Sequence, residues 1–299
     1  MSRYIEPAVA TKDQMVSQNL RIHEGRPMFS LVEFNIWGAC NRLCSFCPVS
    51  NPEVYTNKKE GITVENYTKI LKDLQAIDFT GTILWSMFSE PLLHKQVYEL
   101  ASITKEILPT AQLHLVSNGD LIRKKDEKLK RLYESGVDRI QFSLYDDDNQ
   151  FEEFVQIRTR GKFNDHEMSL RRRYYKDGNY GLTVSNRAGL VESNEYRAET
   201  EAPIVLSELP MSKPCYYPFY QVAIDYNGDV LLCPHDWAKD LIAGNALKES
   251  IWKIWKGKRF EFARSKLMNS DRGFNPCEKC DVHGDLIGEE NFEAFKTCR

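Results

Sequence analysis

The chain has 299 residues, enough for one large domain or a core with a smaller appendage. Hydrophobic residues make up 42% and charged residues 28%, as in a soluble globular protein, and no apolar run approaches the length that spans a bilayer. The net charge of −3 gives no reason to expect nucleic acid as the partner.

Residues 1–30 are an N-terminal extension too short to build a core of its own. Residues 1–10 carry neither a basic start nor an apolar signal core, so a cytoplasmic location is expected. In a reducing compartment the eight cysteines then belong to metal or redox chemistry rather than to disulfides. Residues 31–37 read as the first strand, and Cys40, Cys44 and Cys47 follow it directly with the spacing C-x₃-C-x₂-C. A loop this tight can turn three sulfurs onto one metal centre. Three thiolates are one short of the four that normally hold a four-iron cluster, which leaves one iron open for chemistry. Structural zinc favours paired C-x₂-C knuckles with four ligands, and the longer first gap fits that poorly.

Thr63 offers a helix N-cap, and Val64, Tyr67, Ile70, Leu71 and Leu74 follow at helical spacing. A second strand over 82–87 leads to Glu90 and Pro91, and a helix follows with Val97, Leu100, Ile103 and Ile107 on one side. The third strand, 112–116, closes on Ser117, Asn118 and Gly119. Leu129, Leu132 and Tyr133 mark the next helix, ended by Gly136, and the fourth strand spans 137–144 with Ser143 near its end. Residues 146–181 are charged and lack regular apolar spacing, which suggests a helix plus a substrate-covering loop. Within them Arg171, Arg172, Arg173 and Lys176 read as a solvated face. A fifth strand is expected at 182–185, followed by Asn186 and Arg187. Strands alternating with helices imply βαβ units and a parallel sheet. The unusual polar residues all fall at carboxyl ends of strands, the edge where α/β active sites gather, so one shared pocket is expected.

The carboxyl-terminal part holds Cys215, Cys233 and the pair Cys277/Cys280. Between the first two, residues 221–232 alternate as a strand, an Asn-Gly turn and a second strand, a strong hairpin signal. The hairpin brings Cys215 and Cys233 towards one end, and Cys277 and Cys280 can close a four-thiolate site. By chemistry alone that set suits zinc or a four-iron cluster equally. His235 and Asp236, directly after Cys233, are candidate proton acceptors because histidine titrates near neutrality.

The first cysteine loop resembles the cluster motif of the radical S-adenosylmethionine (SAM) enzymes, and the second set resembles the SPASM, or twitch, module appended to some of them. The resemblance implies a partial (β/α)₆ TIM-like barrel over 31–205 and an auxiliary iron–sulfur module over 206–299. It implies SAM and two [4Fe–4S] clusters as cofactors, the SAM cluster on Cys40, Cys44 and Cys47 and the auxiliary cluster on Cys215, Cys233, Cys277 and Cys280. Phe46 matches the aromatic that the family sets against adenine. Glu90 and Pro91 match the Gly-Gly-Glu turn that binds the SAM amino group, although Phe88 and Ser89 replace the glycines. Ser117, Asn118 and Gly119 resemble the third-strand turn, and Ser143 lies on the same edge. Gly244-Asn245 and residues 250–255 resemble the helix placed between the module's cysteines.

Residues 185–189 resemble the fifth-strand motif of sugar-directed members, with Arg187 able to hold a hydroxyl or a carboxylate. The implied activity is oxidation of a secondary alcohol of a sugar or aminocyclitol-like small molecule, with an external one-electron donor such as flavodoxin or ferredoxin. An epimerase using Cys298 as hydrogen donor, a peptide maturase, and a non-catalytic zinc or iron–sulfur protein are the alternatives.

Overall fold

Short runs such as Leu31–Phe34, buried along their whole length, form the strands of one eight-stranded sheet. They do so in a computed structural model that describes residues 7–123, 125–173, 185–191 and 208–298. In chain order, helix α1 (Pro7–Gln18) and a small hairpin, β1 (Ile22–His23) and β2 (Arg26–Pro27), precede β3 (Leu31–Phe34). Then come α2 (Val64–Gln75), β4 (Thr82–Trp85), α3 (Val97–Ile107), β5 (Gln112–Ser117), α4 (Asp126–Glu134), β6 (Arg139–Leu144), α5 (Asp148–Gly161) and β7 (Met168–Arg172). After the one-turn α6 (Tyr217–Tyr220) follow β8 (Gln221–Ile224), β9 (Asp229–Leu231) and β10 (Ile242–Asn245). The helices α7 (Ile251–Trp255), α8 (Lys258–Met268) and α9 (Glu289–Thr297) complete the described elements.

The strand order is β10-β9-β8-β3-β4-β5-β6-β7, parallel from β8 to β7 and antiparallel for the last two pairs at the β10 edge. The twitch-like hairpin is therefore no separate body, because β8 pairs in parallel with β3, Leu31 opposite Gln221 and Phe34 opposite Ile224.

Register sorts the two faces. Phe34, Trp85, Leu115 and Ile140 lie in one cross-strand row and face the helices. Fully burying each such side chain contributes about 1.5–3 kcal/mol. Thr63 caps α2 by accepting from the Asn66 amide at 3.1 Å, and Tyr67, Ile70, Leu71 and Leu74 turn onto the sheet. The polar atoms buried there are paired: the Trp85 indole donates to the Tyr67 hydroxyl at 3.1 Å, which meets Thr104 at 2.8 Å. The opposite face carries Glu33, His114, Gln141, Ser143 and Arg171, an unusually polar barrel interior.

Two expectations need correction, on the fifth strand and on the arginine run; the N-terminal extension adds a detail of its own. The fifth strand of the sheet is Met168–Arg172, inside the stretch that reads as irregular; of the strand expected at 182–185 only Ser185 is described, and it lies in a loop. Arg171 and Arg172 belong to that strand and are partly buried, not a solvated face. The N-terminal extension contains a docked helix: Val16 is wholly buried, and Asp13 accepts from the Gly288 amide at 2.8 Å.

Candidate functional site

The loop after β3 is fastened from three sides. Asn57 accepts from the Cys40 amide at 2.7 Å and donates to its carbonyl at 3.1 Å. Arg42 forks onto Asp120, beyond β5, with its Nε at 2.7 Å, and onto Asp146, beyond β6, at 2.6 Å. Hydrogen bonding from Arg42, and then its charge, holds Asp146 below the usual carboxylate range. The Asn118 amide bridges to Asn41 at 2.9 Å and lies 3.9 Å from the Cys40 sulfur. Phe46 stacks on Tyr145, ring centroids 5.7 Å apart. None of Arg42, Asn57, Asp120 or Asp146 stands out in the sequence. Asp120 and Asp146 do each follow a strand-end segment, and that is the signal that could have found them.

The carboxyl of Glu90 is buried beneath this loop. It accepts from the Ser117 hydroxyl at 2.9 Å and from the amides of Asn118 at 2.8 Å and Leu92 at 3.1 Å. Burial outweighs these bonds and pushes its pKa up to about 7. Pro91 begins the short 3₁₀ turn that Glu90 caps. The glycines of the expected turn are absent, yet Met87, just before it, adopts the left-handed φ of 78° that side chains rarely accept. Gly119 has a φ of 78°, and a Cβ there would overlap the Phe154 ring. Ser143 is buried opposite Arg171.

The second cysteine set is more deeply enclosed. Cys215 and Cys277 are buried, with Cys233 and Cys280 partly so. Arg272, itself buried, ties the two ligand-bearing segments by donating to the carbonyls of Lys213 at 2.9 Å, Pro214 at 2.8 Å and Val282 at 2.8 Å. Beside Cys233, His235 lies 3.3 Å from the Ser185 hydroxyl and 3.4 Å from that of Tyr217. Burial, then the charges of Arg187 and Lys12, push the imidazole down to about 3. Asp236 has both oxygens committed to its own loop, accepting from the amides of Asp240 at 2.9 Å and Leu241 at 3.0 Å. Asn186 donates to the Lys279 carbonyl at 2.7 Å and to Asp281 at 2.8 Å, so the turn that carries Arg187 is pinned to the auxiliary loop. An aromatic plate joins the two regions: Trp237, two residues beyond His235, meets Phe88 at 4.6 Å, and Cys40 and Cys47 pack against the same cluster.

These thiols suit iron. Burial raises Cys40 to about 12, Cys44 to about 11 and Cys280 to about 12, so without metal they stay protonated, and a bound cation removes the proton. Backbone amides already point at Cys47, Cys215 and Cys280, as they do around sulfur-ligated clusters. Among the described residues no three His, Cys, Asp or Glu side chains converge on a point that would hold a single ion. Within each set, however, the sulfurs stand close enough to raise one another's pKa, a spread that suits a larger cluster.

A model described as the Radical SAM superfamily matches residues 34–176, and an iron–sulfur cluster-binding domain model, SPASM, matches 215–281. The chain is a radical SAM protein. Its cofactors are SAM, a SAM-binding [4Fe–4S] cluster and an auxiliary [4Fe–4S] cluster. It is 25% identical over 256 residues to the S-adenosyl-L-methionine-dependent 2-deoxy-scyllo-inosamine dehydrogenase of Niallia circulans, covering 85% of this chain and 93% of that protein. The GTP 3′,8-cyclase of Chlorobaculum tepidum is 28% identical over 143 residues, 47% of this chain and 40% of its own. In structure it resembles BtrN in complex with AdoMet and 2-DOIA, with a TM-score of 0.70, 23% identity, and 86% of this chain and 95% of that one covered. Streptococcus suis SuiB bound to precursor peptide SuiA shares the radical SAM fold at a TM-score of 0.51 and 15% identity, over 91% of this chain and 72% of that one. No described helix is long and apolar enough to cross a membrane.

Proposed function

We propose that this protein is a radical SAM dehydrogenase that oxidises a secondary alcohol of a sugar or aminocyclitol-like small molecule. The observation that carries the reading is the pairing of a three-thiol loop with a four-thiol site. The first leaves a coordination position for a ligand, and the second leaves none, which suits storage of an electron. The dehydrogenase relative, matched over most of both chains, supports the same reading.

When bound, SAM and its cluster supply hydrogen-atom abstraction, and the auxiliary cluster accepts one electron. Cys40, Cys44 and Cys47 would hold the first cluster, and Cys215, Cys233, Cys277 and Cys280 the second. Phe46, backed by Tyr145, presents a flat face to adenine. Glu90 sets the strand-end turn and lies ready for the SAM ammonium, with Pro91, Ser117, Asn118, Gly119 and Ser143 shaping that edge. Arg187 orients the substrate. His235 is held neutral and can accept the hydroxyl proton, although burial, and then the charges of Arg187 and Lys12, keep it a weak base. Asp236 is assigned to holding the loop that presents His235. The first electron would come from an outside donor such as flavodoxin or ferredoxin, in the cytoplasm.

An epimerase would have to return a hydrogen atom from a thiol. Cys298, the cysteine outside both sets, ends α9, and that helix packs through Phe292 and Phe295 against Phe219. Turnover in D₂O decides between the two. A dehydrogenase gives product two mass units lighter than substrate with no deuterium at the reacting carbon, and Cys298→Ala should keep near-normal turnover. One non-exchangeable deuterium at that carbon, lost along with activity in Cys298→Ala, would establish the epimerase instead.

A further inference from the structure

A recess lies on the outside of the barrel, and its wall is the back of the first cysteine site. It is a cavity of about 440 Å³ between α3 and α4, at the carboxyl-end edge of β4 and β5. Leu92, Leu93, Leu121 and Ile122 form its apolar part. From this wall to the cysteine loop the path is short. The Leu92 amide donates to the Glu90 carboxyl at 3.1 Å, the Glu90 amide donates to the Ala39 carbonyl at 3.1 Å, and Cys40 comes next in the chain. A second path starts at the Ile122 amide, which donates to the Gly119 carbonyl at 2.9 Å. Asn118, beside Gly119, lies 3.9 Å from the Cys40 sulfur.

The charge lining the recess is mostly positive. Lys95, Lys128 and Arg131 face one carboxylate, Glu127. Lys95 and Arg131 are exposed and Lys128 is half-buried. Arg131 stacks on the recess wall, its guanidinium 4.1 Å from the Tyr98 ring. Neighbouring cations are paired, Lys130 with Glu134 at 3.5 Å and Arg123 with Glu153 at 2.8 Å. Among the described residues, Lys95, Lys128 and Arg131 have no such ion pair. Residues 123–131 hold six Lys or Arg and two acids in a chain of net charge −3, so this face opposes the charge of the whole.

The arrangement suits a protein surface better than a small ligand. His94, the buried polar side chain in the wall, has both ring nitrogens engaged, with the Ile62 carbonyl at 2.9 Å and the Gln96 amide at 3.1 Å. It is therefore not available to orient a small molecule inside. An apolar centre edged by exposed charge is instead the anatomy of a protein–protein contact. The proposed chemistry needs one electron from outside, and electron tunnelling weakens steeply with distance. A donor gains most by sitting where the wall before the cysteine loop is thin.

We propose that the recess between α3 and α4 is the docking site of an acidic, flavin-bearing one-electron carrier, which delivers its electron through the Glu90 turn to the centre on Cys40, Cys44 and Cys47. The carrier's reduced flavin loses one electron and the first centre gains it; no bond is made or broken. An apolar recess of this size admits the edge of a planar ring that protrudes from its carrier, which favours a flavin over an iron–sulfur centre enclosed in a loop. The inference rests on the radical SAM reading for the need of an electron, and on the recess and its cations for the place.

Binding is read apart from turnover. Anaerobically reconstituted protein is titrated with oxidised flavodoxin by calorimetry at low and at high salt. Lys95→Glu combined with Arg131→Glu should weaken binding about 10-fold or more at low salt and flatten the salt dependence, as expected for like charges at a docking rim. Lys258→Glu, on α8, should leave binding unchanged. Leu93→Trp, which fills the recess, should weaken binding with the rim charges intact; if that variant does not fold, the rim pair still decides. Equal binding by wild type and rim variant, no binding of flavodoxin, or rim-dependent binding of an acidic ferredoxin in its place would overturn the proposal. Dithionite, a small reductant, needs no dock, so SAM cleavage driven by it should be the same in the rim variant; its loss there would make these cations supports of the site and overturn the proposal too. Protein that cleaves SAM with dithionite but binds flavodoxin without regard to the rim keeps the radical reading and loses this one, and the converse result does the opposite.

Discussion

Around Cys40, Cys44 and Cys47 the chain is fastened from outside by ion pairs, Arg42 with Asp120 and Asp146, while all three sulfurs remain partly accessible. Around Cys215, Cys233, Cys277 and Cys280 the fastening comes from within, through Arg272 and the backbone carbonyls it bridges, and two of the sulfurs are buried. A centre that must admit and release a ligand needs a loop that is fixed but uncovered. A centre that only passes electrons gains from enclosure, which sets its potential by excluding water.

The contrast is sharpest when one centre is removed. Replacing Cys40, Cys44 and Cys47 together with alanine should abolish reductive SAM cleavage and take away about half of roughly eight irons. Iron analysis and chromatography of 5′-deoxyadenosine read the two effects. Full loss of iron would show that the auxiliary centre depends on the first.

Gly284→Ala probes the enclosure of the other site. The new Cβ would overlap the Cys215 sulfur, so the auxiliary cluster should be lost while SAM is still cleaved, provided the first centre stands alone. The outcome appears as about half the iron with 5′-deoxyadenosine retained and little oxidised product.

Arg42→Ala tests the outer fastening. The pairs are partly exposed, so we expect a loss of about 1–2 kcal/mol, seen in chemical denaturation together with faster bleaching of the first cluster in air. An unchanged bleaching rate would mean that Asn57 and Asn118 suffice to hold the loop.

The smallest effect concerns acid, and lies away from both centres. His114 is buried in the barrel interior, and burial, then Arg139, His166 and Lys105, lowers its pKa to about 3. An unfolded histidine titrates near 6.5 or so, so below that pH the unfolded chain binds the extra proton. The stabilisation due to neutral His114 is complete above that value and is lost as pH falls towards 3. His114→Gln should flatten the acid limb of a stability–pH curve measured at constant cluster content; an unchanged slope would place the acid response elsewhere, His94 being next.

Much of this was open to reading in the sequence because short-range rules produce it. Thr63 before Val64 and Tyr67 marks a helix start, and the Asn-Gly pair of the hairpin marks a turn; both depend on neighbours within a few residues. Cysteine spacing is legible for the same reason. Trp252 and Trp255, read as the packed side of a helix, are buried there, and their indoles bond Glu24 at 2.7 Å and the Pro27 carbonyl at 3.0 Å. What escaped depends on a polar barrel interior. In β7 both faces carry arginine, so alternation of apolar and polar residues, the usual strand signal, is missing from the run Met168–Arg172. Helix α5 hides among charges, although Asp147 caps it by accepting from the Gln150 amide at 2.9 Å and Phe154 and Ile157 are buried. Lys12 lies in a helix with no marked apolar side, yet its ammonium comes 3.4 Å from the Gln221 side chain, a contact 209 positions apart that no local pattern announces.

The ladder between β3 and β8 bears on how such a protein can be taken apart. Because Gln221–Ile224 is hydrogen-bonded to Leu31–Phe34, the auxiliary module is not a cassette that can be cut away or exchanged at a linker. A truncation before residue 206 would leave one side of β3 as a raw edge, its backbone groups no longer paired with Gln221–Ile224. Such an edge recruits other chains, so the shortened barrel should aggregate rather than persist as a one-cluster enzyme.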